Sequence, residues 1–270
     1  MKNSTSLTYF TPTIEECFVG EYYNDYKDKD IWLLKEFLKE NNCSKIEKVL
    51  IYNPDAIGMW LFQKYTKDFY DLLKNVQLTI PVRAVLPSVT PVCFGTMYTG
   101  LSPEEHGITK YEKRVIEKES LFDKLSKLGK KVAIVAVENS SMANIFSGRD
   151  IDYYILKYDD EVNAKANDLI IKNNYDVIVV YNQEYDDLMH KTGPESDESL
   201  NAMRKHIKTF SNFVDLVKNN WTEYNSLICC ATDHGIHVDE KGKGTHGYDL
   251  EEDLNILHFF RAIPKKKKED

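Results

Sequence analysis

The sequence lacks a regular cysteine pattern, a long hydrophobic run and an excess of positive charge. Its five cysteines are an odd number without a CxxC pair, which fits a reducing compartment. No stretch approaches the roughly 18 apolar residues of a membrane span. The first residues, MKNSTSLTYFTPTIEECF, also lack the continuous apolar region of a secretory signal. We therefore expect a cytoplasmic protein that does not associate with a membrane.

The charge balance is acidic. Lysine and arginine number 35 against 43 aspartate and glutamate residues, so the formal net charge is -8. This balance argues against a nucleic-acid polymer as the partner. The basic run 265–268 is interpreted as a solvated tail.

A hydrophobic content of 42% predicts a large folded core. Length alone allows one large domain or two small ones. We predict a single domain over residues 1–270. The first 45 residues are too few to bury a core of their own, so they are predicted to be an N-terminal extension packed on that domain. The sequence leaves the oligomeric state open.

Short apolar runs alternate with helix-like segments along the chain. Between residues 200 and 217, apolar residues recur at steps of three and four, which indicates one face of an amphipathic helix. Strands separated by helices predict an α/β fold with a mainly parallel central sheet and helices on both faces. The strands are predicted at 49–52, 82–86, 131–137, 176–181 and 226–231.

Polar residues follow these apolar runs closely. Each has an ordinary explanation alone, such as a helix cap, a turn or an exposed helical pair. The carboxyl ends of parallel strands meet at one edge of a sheet, however, and working residues collect there. The residues that follow the predicted strands in this way are Asp55, Thr90, Asp186, His190, Asp233 and His234.

The stretch ATDHGIHVDEKGKGTHGYD, residues 231–249, places Asp233 beside His234. It then returns to His246 within a similar frame of small residues. Carboxylate and neutral imidazole are the ligands that a zinc-type ion takes. A polar loop that happens to contain histidines would also explain this stretch by itself.

Five motifs, in order along the chain, resemble the alkaline phosphatase superfamily and, within it, the type I phosphodiesterase/nucleotide pyrophosphatase family. VLIYNPDAIG is similar to the first metal-ligand strand of that family, and LPSVTPVCFGTMYTGLSPEEHGI to its nucleophile segment. The other three are YDDLMHKTGPES, ATDHGI and GTHGY. The chain departs from the family pattern at Met189, where the family has glycine, and at Cys93, where it has asparagine.

The resemblance implies an alkaline phosphatase-like three-layer sandwich that binds two divalent metal ions, zinc with manganese as the rival. One ion would be held by Asp186, His190 and His246. The other would be held by Asp55, Asp233 and His234, with the oxygen of Thr90 completing that site. Thr90 would be the nucleophile that forms a phospho-threonine intermediate. The implied activity is hydrolysis of phosphodiester or nucleotide pyrophosphate bonds in a small phosphorylated substrate, possibly a nucleotide.

Two alternatives stay open. The chain could be a phosphomonoesterase or phosphomutase of the same superfamily, or a relative that binds a phosphorylated ligand without turnover. Few arginines lie near the motifs, which favours the diesterase, because enzymes that act on monoesters usually have a further cation besides the metal ions. Arg83, the nearest arginine before Thr90, is predicted to lie at the wrong end of its strand. Cys93 leaves the choice between diester and monoester open.

The remaining histidines receive other interpretations. His106 is predicted to order a loop, His206 to lie on a helix surface, and His258 to be a hydrogen-bonded core residue. His237 lies close to the predicted metal loop, but direct binding is the less favoured interpretation. The four-residue step to His190 favours Asp186 over Asp187 as the ligand.

Overall fold

A computed structural model describes residues 1–20 and 30–266 of the chain. An eight-stranded sheet lies at its centre, in the order β1-β3-β10-β7-β2-β6-β4-β5. β10 is antiparallel to both of its neighbours, and the other described pairs are parallel. A two-stranded hairpin, β8–β9, stands apart. The strands are β1 (Thr5–Ser6), β2 (Lys48–Pro54), β3 (Leu78–Arg83), β4 (Val132–Val137), β5 (Asp152–Leu156), β6 (Val177–Asn182), β7 (Ser226–Ala231), β8 (His237–Val238), β9 (Gly244–Thr245) and β10 (Asn255–Ile263).

Helices cover both faces of the sheet, as the α/β prediction requires. The longest, α11, has 24 residues, and the side chain of Ser196 caps its first turn. The helices are α1 (Phe10–Val19), α2 (Trp32–Glu40), α3 (Met59–Lys64), α4 (Tyr70–Leu73), α5 (Thr90–Thr99), α6 (Pro103–His106), α7 (Leu121–Lys127), α8 (Ser141–Ile145), α9 (Asp159–Lys172), α10 (Glu184–Thr192), α11 (Asp197–Asn220) and α12 (Glu251–Leu254).

The central strands are buried on both sides. Every residue of β2 is buried, and successive side chains point to opposite faces. Val49 and Ile51 enter the core cluster that includes residues of α1, α5, α7 and α8. Leu50 and Tyr52 enter the cluster that includes residues of α3, α4, α9, α10 and α11. A continuous apolar run is therefore what this strand position requires.

The predicted strands 49–52, 131–137, 176–181 and 226–231 are confirmed as β2, β4, β6 and β7. The prediction at 82–86 was wrong in its bounds, because β3 ends at Arg83 and an irregular segment follows. Five of the ten described strands were not among those predicted: the two-residue strands β1, β8 and β9, the edge strand β5 and the antiparallel β10. β5 is only partly buried, so it lacks the apolar run of the central strands.

The described part of the N-terminal segment packs against the sheet. Leu7, Phe10 and Ile14 belong to the same core cluster as Ile134 of β4. Residues 21–29 of the predicted 1–45 extension lie outside the described residues, as do residues 267–270 at the end of the basic run. Within the described ranges, no helix combines the length and the apolar character needed to cross a membrane.

Candidate metal centre

The site lies where β7, β2 and β6, three adjacent strands, end at the same edge of the sheet. Asp55 follows β2 directly, and its backbone N–H donates to the carbonyl of Asn182 at the end of β6. Asp233 follows β7, and its Oδ1 accepts a hydrogen bond from the N–H of Ala56 at 3.3 Å. α10, which carries Asp186, begins two residues after β6. The parallel sheet therefore collects these carboxylates from distant parts of the chain.

One candidate ligand group is fully buried and consists of Asp55, Asp233 and His234. His234 Nε2 lies 3.6 Å from Asp55 Oδ1 and 3.4 Å from Asp233 Oδ2. Neighbouring ligand atoms around a tetrahedral zinc ion, each at about 2.0–2.1 Å, are about 3.3–3.4 Å apart. The spacing in this group, called the Asp55 group below, fits a single divalent ion.

The other candidate group is more open to solvent and consists of Asp186, His190 and His246. Asp186 and His190 stand one turn apart on α10, and His246 follows β9. Asp186 Oδ1 lies 3.5 Å from Nε2 of each histidine, and the two Nε2 atoms are 3.2 Å apart. The His246 ring stacks on that of His234 at 4.1 Å between centroids. This Asp186 group therefore adjoins the Asp55 group directly.

Each of the three histidines directs one ring nitrogen to a backbone carbonyl. The Nδ1 atoms of His190, His234 and His246 lie 2.8–3.0 Å from the carbonyl oxygens of Gly244, Gly235 and Ser88, respectively. Because a carbonyl only accepts, each Nδ1 must carry the proton, which leaves the Nε2 lone pair free toward the site. Burial lowers the pKa of His234 to about 3 and that of His246 to about 2. Both rings are therefore neutral at neutral pH.

The three aspartates are crowded together away from solvent. Burial, followed by the charges of Asp233 and Asp186, raises the pKa of Asp55 well above its usual value. Burial raises the pKa of Asp233 to about 6 and raises that of Asp186 strongly. One oxygen of each carboxylate is buried without a hydrogen-bond partner among the described residues. Buried carboxylates of this kind stay ionised only beside a cation, and with neutral imidazoles they form a donor set that suits zinc or manganese.

Thr90 is the first residue of α5 and is 5% exposed. Its Oγ1 lies 3.3 Å from His234 Nε2 and 3.5 Å from Asp55 Oδ2, so the hydroxyl borders the Asp55 group. The amino end of a helix favours negative charge, which suits a phosphoryl group at this position. All seven residues predicted from the sequence therefore come together at one edge of the sheet.

Supporting residues around the site were missed in the sequence. The Tyr181 hydroxyl donates to Asp55 Oδ2. The Oγ of Ser88 accepts from Gly247 N–H at 3.1 Å, which ties the Thr90 segment to the turn that follows His246. Tyr181 lies inside an apolar run that is typical of a buried strand, so the sequence did not indicate its hydrogen bond to Asp55.

His237 supports the same loop and is not among the residues of either ligand group. Its Nδ1 lies 2.7 Å from Oδ1 of Asp253, which is fully buried. Asp253 Oδ2 accepts from the N–H of Tyr248. One carboxylate therefore connects both ends of the β8–β9 hairpin, after which His246 follows directly.

The structure confirms some of the roles predicted for the other residues and contradicts others. His106 orders its loop as predicted, with Nε2 3.1 Å from Thr96 Oγ1. The prediction for His206 was wrong, because this residue is buried beneath α10 and contacts the Tyr52 hydroxyl. The prediction that Arg83 lies at the wrong end of its strand, away from the site, was also wrong. β3 and β7 are both antiparallel to β10, so β3, whose last residue is Arg83, ends at the same sheet edge as the site. His258 is buried and contacts the Thr232 carbonyl, as predicted.

The two departures from the family pattern lie below the surface of the site. Cys93 is fully buried, with Sγ 3.9 Å from the Val85 carbonyl, and burial raises the pKa of its thiol strongly. Met189 is also fully buried. A side chain at Gly244 would place its Cβ 2.1 Å from the Met189 sulfur, so the larger residue on α10 is matched by glycine in β9.

Several solved structures share this fold. Murine ectonucleotide pyrophosphatase/phosphodiesterase 5, in an inactive form in complex with AMP, gives a TM-score of 0.57 at 17% identity, covering 72% of this chain and 59% of that one. The chain thus spans less than two thirds of that relative. The C-terminal periplasmic domain of a phosphoethanolamine transferase from Campylobacter jejuni gives 0.60 at 18%, covering 80% of each chain. Phosphonoacetate hydrolase from Sinorhizobium meliloti, in complex with phosphonoacetate, gives 0.55 at 13%, covering 72% and 57%.

These likenesses establish an alkaline phosphatase-like fold. No curated protein matches the sequence significantly. The model of the type I phosphodiesterase/nucleotide pyrophosphatase family matches residues 52–254, which is most of the chain and contains all seven residues of the candidate site. By this match, the chain belongs to the type I phosphodiesterase/nucleotide pyrophosphatase family.

Proposed function

We propose that the protein is a two-metal phosphoesterase that hydrolyses phosphodiester or nucleotide pyrophosphate bonds, with Thr90 as the nucleophile. The observation that carries the proposal is the convergence of two three-residue ligand groups beside one threonine hydroxyl. A chance polar cluster would not leave three imidazole Nε2 atoms and three unpartnered carboxylate oxygens directed at the same space.

Within this proposal, the residues have separate roles. Asp186, His190 and His246 would hold one ion, and the Asp55 group, with Thr90 Oγ1 beside it, would hold the other. When bound, two such ions lower the pKa of a hydroxyl or water and neutralise charge on the transferring phosphoryl group. Carboxylate and neutral imidazole ligands fit zinc, and manganese is the rival.

Thr90 would act in two steps. Its Oγ1 would attack phosphorus, its proton would pass to the leaving oxygen or to water, and the alcohol or phosphate group would leave, which gives phospho-Thr90. Water would then attack the same phosphorus, so that the P–O bond to Thr90 breaks, the threonine hydroxyl takes up a proton from that water, and the phosphate with its remaining substituent is released. The amino end of α5 contributes partial positive charge at the phosphoryl oxygens during both steps.

The charges around the centre favour a diester or pyrophosphate bond over a monoester. In the described ranges, the ion-pair partners of the three site aspartates are histidines, with no lysine or arginine among them. A monoester carries an extra negative charge that enzymes usually match with a further cation. Arg83 lies at the end of β3, at the same sheet edge, and is a cation that would favour a monoester if it reached the phosphoryl group.

The proposed substrate is a small phosphorylated molecule, possibly a nucleotide. The murine relative was solved with AMP and the Sinorhizobium hydrolase with phosphonoacetate, which is consistent with ligands of this size. The net charge of -8 supports the absence of a nucleic-acid polymer partner. The five free, buried cysteines support the proposed cytoplasmic location.

The test is turnover of a panel of small phosphoesters by protein loaded with Zn²⁺ or Mn²⁺. We expect hydrolysis of aryl diesters or dinucleotide pyrophosphates, its loss on exhaustive chelation, and its return when metal is restored. Activity that survives chelation would refute the two-metal mechanism. Tight binding of phosphoesters without turnover would instead support the non-catalytic alternative.

A further inference from the structure

α10 carries two residues of the Asp186 group, yet other elements supply the hydrogen bonds at its start. Gln183, the residue before the helix, makes no capping side-chain bond within the described part of the chain. The backbone N–H of Gln183 donates to Asp159 Oδ1 at 3.1 Å, and that of Glu184 donates to Asp159 Oδ2 at 2.9 Å. Both oxygens of one carboxylate on α9 are therefore used on the first turn of α10.

The next N–H of the helix points to a buried histidine on α11. Tyr185 N–H lies 3.4 Å from His206 Nε2, and His206 Nδ1 lies 2.8 Å from the Tyr52 hydroxyl. Burial lowers the pKa of His206 to about 4, so the ring is neutral at neutral pH. An N–H can only donate, so Nε2 accepts from Tyr185 and Nδ1–H donates to the Tyr52 oxygen. This tautomer satisfies both nitrogens.

These contacts join the helix to the strand that carries the other ligand group. Tyr52 lies on β2, three residues before Asp55, so the path from Tyr52 through His206 to Tyr185 runs between the two groups. Asp186 and His190 share one helix, so a shift of α10 would move both of them relative to His246. The Asp55 group is held by the ends of β2 and β7 and would not move with α10.

We propose that Asp159 and His206 are positioning residues that set the place of Asp186 and His190 by capping α10 from two other elements. The proposal rests on the two-metal site of the proposed function. A shift in helix position would weaken binding at the Asp186 group and leave the Asp55 group unchanged. Loss of partners that orient metal ligands usually costs about tenfold to a hundredfold in metal affinity.

The test is titration with Co²⁺, followed by its visible absorption, in two backgrounds. Asp233→Asn leaves only the Asp186 group with its full ligand set, and His190→Asn leaves only the Asp55 group. In the first background, we expect Asp159→Ala to weaken Co²⁺ binding about tenfold to a hundredfold. In the second background, the same change should alter the affinity less than about twofold, because the Asp55 group does not use α10.

Two matched variants separate positioning from general destabilisation. Asp160→Ala removes the exposed neighbouring carboxylate and should leave both affinities unchanged. His206→Leu should act like Asp159→Ala, whereas His206→Gln, whose amide can both donate and accept, should restore binding. An equal loss in both backgrounds, or no loss in either, would overturn the positioning role. Failure of the unaltered protein to take up Co²⁺ would overturn the metal centre itself, and this inference with it.

Discussion

At the scale of single residues, position and protonation together decide what the site can do. Thr90 borders the buried Asp55 group, while His190 stands at the open side of the Asp186 group. The three site histidines have free Nε2 atoms because their Nδ1 atoms donate to backbone carbonyls, and these contacts cannot be recognised in the sequence. Residue types and order were therefore predictable, because they belong to motifs. The orientation of each ring depends on backbone carbonyls from distant segments and was not predictable.

Replacing Thr90 by alanine should separate chemistry from metal binding. We expect kcat/KM to fall at least about 10³-fold, as nucleophile removal does in other hydrolases, because the attacking oxygen is gone. Metal content should stay near that of the unaltered protein, since the six aspartate and histidine ligands remain. Thr90→Ser is the matched control and should keep measurable activity. Unchanged turnover in Thr90→Ala would move the role elsewhere, with Ser88 as the nearest hydroxyl in the sequence.

Replacing a ligand should remove both metal and activity. Asp233→Ala takes a buried carboxylate from the Asp55 group, and His246→Ala takes one imidazole from the Asp186 group. A three-ligand site that loses one member binds its ion weakly, so we expect less than two bound ions and turnover reduced by orders of magnitude. Metal analysis after dialysis, together with initial rates, provides the measurement. His237→Ala is the comparison. Retention of both ions there and loss of the ion of the Asp186 group in His246→Ala would agree with the assignment, and retention of both ions in His246→Ala would contradict it.

At the scale of elements, periodicity predicted the central strands and the long helix but not the sheet edges. β2, β4, β6 and β7 are buried on both faces, which produces the apolar runs that were recognised. β5 is a partly exposed edge strand and carries a mixed pattern. The direction of β10 is set by its pairing with β3 and β7, a long-range choice that leaves no local trace in sequence.

β10 also carries a buried histidine whose titration should affect stability. Burial lowers the pKa of His258 to about 4 from an ordinary 6.5. The unfolded chain therefore takes up the proton first as the pH falls, which favours unfolding between about pH 6.5 and 4. Relative to His258→Gln, the unaltered protein should lose up to about 1.4 kcal/mol of unfolding free energy per pH unit in this window. Urea denaturation at pH 7.5 and pH 4.5 measures it, and parallel losses in both proteins would contradict it.

At the scale of the whole molecule, the fold places three buried or partly buried aspartates at the carboxyl edge of the central sheet. Between Thr90 and Asp186 the chain forms β4, β5 and β6 with short helices and α9, all part of the same layered core. Among the described residues, this part of the chain forms no separate cap over the candidate metal centre. The partly exposed Asp186 group is therefore accessible from the carboxyl edge of the sheet, whereas the Asp55 group beside it is buried.

The candidate centre has no separate cap, and its three aspartates pair only with histidines among the described residues. These two features predict the preferred substrate. A diester or pyrophosphate has one less charge at the reacting phosphorus than a monoester and carries a second substituent that an uncapped edge can accommodate. We expect kcat/KM for an aryl diester to exceed that for the matched aryl monoester on the same metal-loaded preparation. The sheet places Arg83 at this edge, so Arg83→Ala should reduce monoester turnover more than diester turnover. A monoester preference of tenfold or more, about 1.4 kcal/mol of transition-state stabilisation, would instead assign the protein to the phosphomonoesterase alternative.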